Sequence, residues 1–286
     1  MTRPAIPFAK GHGTGNDFVI LTDLDAQLKL SGDEVRRLCN RRHGIGADGV
    51  LVVTRTAATS EVSDQSDAEF FMDYRNADGS IAEMCGNGSR VFVRFLIEEG
   101  LTVPGEVSIA TRSGIRLART LEDGSISVEM GEARLLDEDI TVATVPEEGP
   151  KRPAIGVLMP NPHAVCWVED VAEAGALAEP PLVAPAEIFP DGVNVEFVAE
   201  LDDGHVKMRV HERGVGETES CGTGACAAAV ATLARRGEGP AGQEIEVEVP
   251  GGRLQVAWRE DGRVDLSGPA VIVARGILTA DWWSTA

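Results

Sequence analysis

A cysteine in a glycine-rich turn, followed at once by an alanine-rich helix, is the feature that most constrains this chain. The segment from Thr218 to Arg236 reads TESCGTGACAAAVATLARR, with Cys221 in the turn. Glycines at 222 and 224 let the backbone lie close to a ligand, and the unpaired N–H groups of a helix start bind anions. The helix dipole favours a thiolate at this end, so the sequence predicts a readily ionised sulfur that acts as a base or a nucleophile.

The same feature occurs earlier in the chain, where Cys85 begins the segment CGNGSRVFVRFLIEEG. Cys221 lies 136 positions after Cys85. At this offset two pairs of glycines match, Gly86 with Gly222 and Gly88 with Gly224. The match predicts a duplicated unit in which each copy presents a cysteine at a helix start. Two such half-sites that face each other would bring two thiols to one ligand.

The length of 286 residues is long for a single core, and the repeat therefore predicts two similar halves. We expect an N-terminal half over residues 1–131, completed by a C-terminal strand at about 270–286, and a second half over residues 132–269. The stretch 132–154 is acidic and contains three prolines, Pro146 among them, so we expect it to be a connection between the halves.

Composition and charge exclude several classes of function. The formal net charge is −20, which disfavours nucleic acid or an anionic membrane surface as a partner because phosphate groups would be repelled. No apolar run approaches membrane-spanning length and the five cysteines form no disulfide framework, so we expect a cytoplasmic protein with reduced thiols. No metal-ligand spacing occurs, and none of the four lysines lies in a context typical of a Schiff base, so neither a metal nor pyridoxal phosphate is expected.

Polar residues outside the two cysteine turns are candidates for ligand contacts. Asn16 follows a glycine turn, where an amide side chain either reaches a ligand or is held by its own backbone. Prolines on both sides of Asn161 restrict its backbone, and His163 in the same stiff turn is either a hydrogen-bonded structural residue or part of a site. Asn194 lies in an apolar strand-like run, so it must find partners or face a cavity.

Two matched thiols suit a reaction in which one sulfur removes a proton from carbon and the other delivers one to the opposite face. This is stereoinversion, in which acid and base differ only in which of them carries the proton, whereas a nucleophilic cysteine needs a histidine partner and a single copy. The helix-start N–H groups would bind the neighbouring carboxylate and stabilise the developing negative charge without a cofactor. Each half also has a polar residue nine positions before its cysteine, Asn76 and Glu212.

Taken together, the motifs resemble those of the diaminopimelate epimerase family. They span nearly the whole chain in order: GHGTGNDF at 11–18, RNADGS at 75–80, MCGNGSR at 84–90, NPH at 161–163, GVNVEF at 192–197, and ERGVGET with SCGTGA at 212–225. The resemblance implies cofactor-independent interconversion of LL- and meso-2,6-diaminopimelate, in the synthesis of lysine and peptidoglycan precursors. It also implies an α+β fold of two similar domains from an internal duplication, each a barrel-like, mostly antiparallel sheet around a central helix, with the active site in the cleft between them.

The resemblance also implies roles for individual residues. Cys85 and Cys221 are the acid/base pair, and His163 and Glu212 adjust the pKa values of the thiols. Ten residues would hold the substrate through side chains or backbone N–H groups: Asn16, Asn76, Gly86, Asn87, Asn161, Asn194, Glu212, Arg213, Gly222 and Thr223. One departure is Gly49, where the family often has a substrate-binding Gln, so a polar contact is either missing there or supplied by water.

Two other functions remain open at this point. A proline or hydroxyproline racemase resembles this chain in fold and in its paired cysteines, but it carries a histidine where Asn87 stands, and the Glu212–Arg213 pair suits a longer zwitterion. A thiol redox protein or an anion-binding module is an alternative of another class, since a disulfide between the two cysteines would be the working state of a redox protein and would inactivate an epimerase. The sequence also leaves open the extent of domain closure and which cysteine acts as the base for which isomer. It does not determine the oligomeric state, and it is compatible with a homodimer.

Overall fold

The computed structural model describes residues 4–144 and 150–284, which separate into two units. The first unit comprises the chain up to Val128 together with the chain from Pro269 onward, and the second runs from Glu129 to Gly268. Within the described ranges, no helix has the length and apolar character needed to cross a membrane.

The N-terminal part of the chain alternates strands with two helices. Its elements are β1 (Ile6–Gly13), β2 (Asn16–Thr22), α1 (Gly32–Cys39), β3 (Gly49–Arg55), β4 (Phe70–Asn76), α2 (Gly86–Glu98), β5 (Glu106–Thr111), β6 (Gly114–Thr120) and β7 (Ile126–Glu132). The hairpin of β1 and β2 turns at Thr14 and Gly15, which have φ values of 50° and 84°. Two successive positive φ values are typical of the tightest hairpin turns, and they make Asn16 the first residue of β2.

The remaining elements are again mostly strands. They are β8 (Arg134–Leu135), β9 (Ile140–Ala143), β10 (Arg152–Leu158), β11 (Pro162–Trp167), β12 (Leu182–Ala184), β13 (Asn194–Asp202), β14 (His205–Glu212), β15 (Gly216–Thr218), α3 (Gly222–Arg235), β16 (Gln243–Val249), β17 (Gly252–Trp258), β18 (Arg263–Gly268), β19 (Val271–Leu278) and α4 (Ala280–Ser284). The last strand, β19, pairs antiparallel with β1 in the first unit.

Strands pair in the same order and sense in both units. In the first unit, the successive strands β1 to β7 pair antiparallel, parallel, antiparallel, parallel, antiparallel and antiparallel. In the second unit, β10, β11, β13, β14, β16, β17 and β18 pair through the same series of senses. This repetition confirms the duplicated, mostly antiparallel fold that the sequence predicted.

Each unit has one long helix that is buried on most of its sides. Ten of the 13 residues of α2 are buried, as are 11 of the 14 residues of α3. In α2 the side chains of Val91, Phe92, Phe95 and Leu96 fill the space between helix and strands. In α3 five of the 11 buried residues are alanines, which lose little entropy in a helix and let the strands approach closely. A helix that is apolar almost all round belongs inside a core, which agrees with the central helix expected in each half.

The expectation that residues 132–154 form a plain connection is wrong for part of this stretch. The strands β8 and β9 lie within it, and both pair antiparallel with β10. Ile140 and Val142 of β9 are 2% and 0% exposed, so they belong to the core of the second unit. The alternation of apolar and polar residues in β9 did not stand out in the sequence because the surrounding residues are acidic. Pro146 lies outside the described residues.

Candidate active site

Cys85 is the N-cap residue of α2 in the first unit. Its backbone is extended, with φ −144° and ψ 120°, and its Sγ accepts a hydrogen bond from the backbone N–H of Gly88 at 3.3 Å. A cap of this kind satisfies one of the N–H groups that the first helical turn leaves without a partner. The half-buried sulfur of Cys85 therefore lies at the positive end of the helix dipole, with a donor directed at it.

The amide of Asn16 lies beside this sulfur. Asn16 Oδ1 is 3.7 Å from Cys85 Sγ and 3.4 Å from Asn87 Nδ2. Asn87 is buried, and its Oδ1 accepts from the guanidinium of Arg90 at 2.9 Å. The structure thus brings together three of the residues that the sequence assigned to the site. It adds Arg90, a fully buried cation one turn into α2 that sequence reasoning missed.

Asn76 and Gly49 occupy paired positions on β4 and β3. The side chain of Asn76 donates to Ser80 Oγ at 3.0 Å, within the turn that follows the strand. A Cβ added at Gly49 would lie 2.7 Å from the backbone oxygen of Arg75 and 2.7 Å from a ring carbon of Tyr74. This space is therefore filled, and Gly49 is required by close packing. In the sequence, Gly49 was notable only as the position where the family resemblance implies a substrate-binding glutamine.

Cys221 repeats the cap geometry in the second unit. It is the N-cap of α3, with φ −108° and ψ 113°, and its Sγ accepts from the backbone N–H of Gly224 at 3.3 Å. The hydroxyl of Thr223 lies 3.5 Å from the same sulfur. The side chain differs from its counterpart in burial, since Cys221 is only 6% exposed. The two helices that the sequence singled out thus begin in the same way, with Gly86 and Gly222 as their first residues.

The expectation that a helix-start thiol ionises easily is wrong for Cys221. Burial raises the pKa of Cys221 well above its ordinary value, and the carboxyl groups of Glu212 and Glu196 raise it further. The hydrogen bonds from Thr223 and Gly224 act in the opposite direction but do not outweigh the loss of water. A helix end supplies only about half a charge, which is too little to balance complete burial beside two acidic groups.

Glu212 lies at the end of β14 and contacts the same thiol. Its carboxyl accepts hydrogen bonds from Cys221 and from Thr218 Oγ1. Burial raises the pKa of Glu212, and the neighbouring Glu196 raises it further. Because burial raises its pKa, the Glu212 carboxylate has a high affinity for a proton, and it is the base in contact with the thiol.

A buried row of three polar side chains runs through the same unit. His163 Nδ1 lies 2.7 Å from Glu196 Oε1, and His163 Nε2 lies 3.0 Å from Asn161 Oδ1. Both His163 and Glu196 are 0% exposed. Sequence reasoning singled out His163 and Asn161 but missed Glu196. The signal was present, because Glu196 is the one acidic residue in the apolar run from Val193 to Val198.

Asn194 joins the turn of His163 to the turn that carries Arg213. It sits opposite His163 in the parallel pairing of β11 with β13. Its Nδ2 donates to the backbone oxygen of Pro162 at 2.9 Å, and its Oδ1 accepts from the backbone N–H of Arg213 at 2.9 Å. These two bonds satisfy a polar group that is only 3% exposed.

A cavity of about 260 Å³ opens beside these turns within the second unit. Asn161, Asp191 and Arg213 supply polar groups to its wall. Most of the other lining residues are apolar, namely Leu158, Met159, Pro160, Pro162, Ile188, Phe189 and Pro190. Amide and guanidinium donors on an apolar wall are typical of a site for a small anionic group.

The family model for diaminopimelate epimerase matches residues 8–136 and 156–273, which together make up most of the chain. The chain belongs to the diaminopimelate epimerase family. It is therefore an isomerase, and the motifs that suggested the family lie in both matched ranges.

Curated members of the diaminopimelate epimerase family are similar to this chain over nearly its full length. The diaminopimelate epimerase of Streptomyces coelicolor is 50% identical, with 97% of this chain and 96% of the relative covered. That of Corynebacterium glutamicum strain ATCC 13032 is 48% identical, with 95% of this chain and 97% of the relative covered.

Solved structures outside this family share the fold. A phenazine biosynthesis protein of the PhzF family from Bacillus anthracis has a TM-score of 0.72 at 19% identity, with 96% of this chain and 99% of the other covered. A hydroxyproline epimerase from Agrobacterium vitis, solved with trans-4-hydroxy-L-proline, has a TM-score of 0.68 at 18% identity, with 96% and 93% covered. At such low identity these likenesses show the fold alone.

Proposed function

We propose that this protein interconverts LL- and meso-2,6-diaminopimelate by a two-thiol acid/base mechanism that uses no cofactor. One observation carries the proposal: both buried helices begin with an N-capping cysteine whose sulfur accepts a backbone N–H at 3.3 Å. A thiolate at one cysteine removes the α-proton, and the thiol of the other delivers a proton to the opposite face of the same carbon. The mechanism therefore requires Cys85 and Cys221 to reach opposite faces of one α-carbon.

The charge that develops during the reaction must be stabilised next to the α-carbon. When the C–H bond breaks, its electron pair delocalises into the α-carboxylate, which becomes enolate-like. The N–H groups of the first helical turns, at Gly86 and Asn87 and at Gly222 and Thr223, are the donors that we assign to this carboxylate. Donors held in place before the reaction stabilise such a charge without reorganising.

The environments of the two thiols support a role as proton donors in the resting enzyme. Cys85 Sγ donates to Asn16 Oδ1, and the thiol of Cys221 donates to Glu212. When Cys221 acts as the base, Glu212 is placed to accept its proton first, and His163 lies close enough to influence Glu212 electrostatically. We therefore propose that Glu212 and His163 adjust the pKa of the thiol.

The cavity beside Asn161 and Arg213 supports a substrate with a second polar end. Diaminopimelate has a carboxylate and an ammonium group at the carbon that does not react. We assign the carboxylate to the donors of Arg213 and Asn161, and we assign the ammonium to Glu212 and the amide oxygen of Asn76. Asn194 contributes by holding the backbone of Arg213.

The setting of the enzyme is part of the proposal. The mechanism needs both sulfurs reduced, and all five cysteines of the structure are free thiols, so we assign the enzyme to the cytoplasm.

Three apolar side chains of β19, Val271, Val273 and Ile277, are exposed, and a second copy of the chain would cover them in a homodimer. Sedimentation of the reduced protein tests the homodimer.

The decisive experiment follows hydrogen exchange at the α-carbon. Reduced protein is incubated with LL-diaminopimelate in deuterated water without added pyridoxal phosphate, and deuterium content and isomer ratio are measured together. We expect deuterium uptake with conversion to the meso form. Cys85→Ser and Cys221→Ser should each lower turnover by about a thousandfold or more, because a hydroxyl is a far weaker acid than a thiol.

The same experiment separates the alternatives. Fully reduced protein that exchanges no deuterium contradicts the proposal, and exchange with proline or hydroxyproline instead would indicate a racemase of cyclic amino acids. A protein that is active only after oxidation would indicate redox chemistry, because the epimerase needs both thiols free.

A further inference from the structure

Glu196 begins a row of hydrogen bonds that ends at the cavity of the second unit. Its side chain is fully buried on β13, and Oε1 lies 2.7 Å from His163 Nδ1. On the other side of the ring, His163 Nε2 lies 3.0 Å from Asn161 Oδ1. Asn161 in turn lines the cavity together with Arg213. A buried carboxyl is thus linked through one imidazole ring to a side chain that we assign to the substrate.

Donor and acceptor requirements determine the protons in this row. Because Asn161 Oδ1 is an acceptor, His163 Nε2 must carry a hydrogen. The short contact between Nδ1 and Glu196 Oε1 then needs one further proton, held by either atom. In both cases the pair of Glu196 and His163 has no net charge, which a site without water strongly favours.

The opposite orientation of the Asn161 amide is disfavoured for the same reason. If its NH₂ group faced the ring, Nε2 would need a lone pair and Nδ1 would carry the only ring hydrogen. Glu196 would then be either an ionised carboxylate in a net negative pair or a carboxylic acid with its hydrogen on Oε2. Glu196 Oε2 has no hydrogen-bond partner among the residues that the structure describes, so either the charge would be poorly solvated or the O–H would have no acceptor. Burial raises the pKa of Glu196, in agreement with the neutral pair.

The consequence appears at the cavity. With Oδ1 of Asn161 held by the ring, the two N–H groups of the amide are on the opposite side, where the guanidinium of Arg213 also offers only donors. Donors from two sides form a site that accepts a carboxylate.

We propose that Glu196 is a positioning residue, which acts through His163 to hold the Asn161 amide with its N–H groups toward the non-reacting carboxylate of the substrate. This inference rests on the proposed function and deepens it. Glu196 touches no reacting atom. It determines how well the substrate's far end is bound, so its removal raises KM.

Two substitutions at Glu196 separate geometry from charge. Glu196→Gln keeps a donor, because its amide N–H can bond to His163 Nδ1 while Nε2–H stays on Asn161. We expect KM and kcat of this variant to stay within about threefold of the wild type. Glu196→Leu removes the donor and frees the ring and the amide, and we expect KM to rise by about tenfold or more.

A double-mutant cycle tests whether Glu196 acts through Asn161. In an Asn161→Ala background, Glu196→Leu should leave KM unchanged, because the amide that it positions is gone. An additive rise in KM in that background overturns the proposal. The proposal is equally overturned if Glu196→Gln raises KM as much as Glu196→Leu, or if either variant lowers kcat and shifts its pH profile while KM stays constant.

Circular dichroism and thermal unfolding establish that each variant is folded. If Glu196→Leu does not fold, Glu196→Gln is the deciding variant. A tenfold rise in its KM contradicts a positioning role, because this variant keeps the hydrogen bond to His163. The wild type is the control for the function itself. A wild-type protein without turnover of diaminopimelate overturns the proposed function and this inference with it, whereas wild-type turnover with an additive cycle overturns only the role of Glu196.

Discussion

The side-chain nitrogen of Asn16 donates to Asp48 Oδ2 at 2.9 Å. Asp48 also accepts from Arg41 at 2.8 Å, and an ion-paired carboxylate offers no hydrogen for a bond in the other direction. The amide of Asn16 therefore cannot turn round, and its Oδ1 stays beside Cys85 Sγ. A carbonyl oxygen in this place accepts from a thiol and repels a thiolate, so Asp48 indirectly holds the proton on Cys85.

Replacing Asp48 should make Cys85 more reactive. In Asp48→Asn, the new amide can donate to Asn16, which then presents its NH₂ group to the sulfur and stabilises the thiolate at the cost of the hydrogen bond from Asn87 Nδ2 to Asn16 Oδ1. In a Cys221→Ser background, we expect the rate of Cys85 alkylation by iodoacetamide at neutral pH to rise about threefold or more. Asn16→Ala is the control that removes the acceptor without supplying a donor, and its effect should be smaller. Equal rates in Asp48→Asn and the parent protein would contradict this account.

The glycine three residues after each cysteine should tolerate alanine differently in the two units. A Cβ at Gly224 would lie 2.8 Å from the buried Glu196 Oε1 and 3.3 Å from Cys221 Sγ. A Cβ at Gly88 would meet nothing nearer than Cys85 Cβ at 3.3 Å.

We expect Gly224→Ala to lower the free energy of unfolding by about 1–3 kcal/mol, because the fixed carboxyl must move. Gly88→Ala should be neutral or stabilising by up to about 1 kcal/mol, since alanine is the better helix former. Urea unfolding of both variants measures the difference. If Gly224→Ala were as stable as Gly88→Ala, the Glu196 carboxyl would be free to move.

Introducing at position 49 the glutamine that the family resemblance implies should destabilise this protein. The first side-chain carbon would lie 2.7 Å from the Arg75 backbone oxygen and from the Tyr74 ring. We expect Gly49→Gln to lower the free energy of unfolding by about 1–3 kcal/mol, because a backbone atom cannot give way as a flexible side chain does.

Gly204→Gln is the matched control, since a Cβ at Gly204 would meet nothing within 4 Å. Its unfolding free energy should stay within about 0.5 kcal/mol of the wild type. If Gly49→Gln were as stable as this control and had a lower KM for diaminopimelate, the space beside Tyr74 would be open and the interpretation of Gly49 incorrect.

The buried thiol of Cys166 should make stability fall at alkaline pH. Burial raises the pKa of Cys166 from 9.0 to about 12. Between these values the unfolded chain loses the thiol proton while the folded protein keeps it, so the contribution of Cys166 is complete below about pH 9 and is lost as pH rises toward 12. The free energy of unfolding should therefore fall by up to about 1.4 kcal/mol per pH unit on account of this thiol.

Cys166→Ala isolates that contribution. The variant loses packing at every pH, but the gap between it and the wild type should narrow from about pH 9 to about pH 11, because only the wild type has a thiol to titrate at this position. Urea unfolding at several pH values measures the gap. If the difference in unfolding free energy between the two proteins stays constant over this range, ionisation of Cys166 does not contribute to the pH dependence of stability.

The sequence by itself determined the structural features that are specified by residues adjacent in the chain. A cysteine followed by glycines and a periodic apolar run predicts the start of a helix, and the structure has α2 and α3 with Cys85 and Cys221 as their N-caps. The repeat at a constant offset predicted two similar units, since equal local patterns fold equally. These signals lie within one segment of chain and need no knowledge of what packs against it.

Only the tertiary structure decided the environment of the thiols. The parallel pairing of β11 with β13 brings Glu196 to His163, two residues 33 positions apart, and turns an apolar-looking strand into the support of Asn161. Packing removes water from Cys221 and places two carboxyls beside it, which reverses the ionisation expected from its helix start. Burial and charge depend on residues distant in sequence, because solvent exclusion arises only when separate strands and helices assemble.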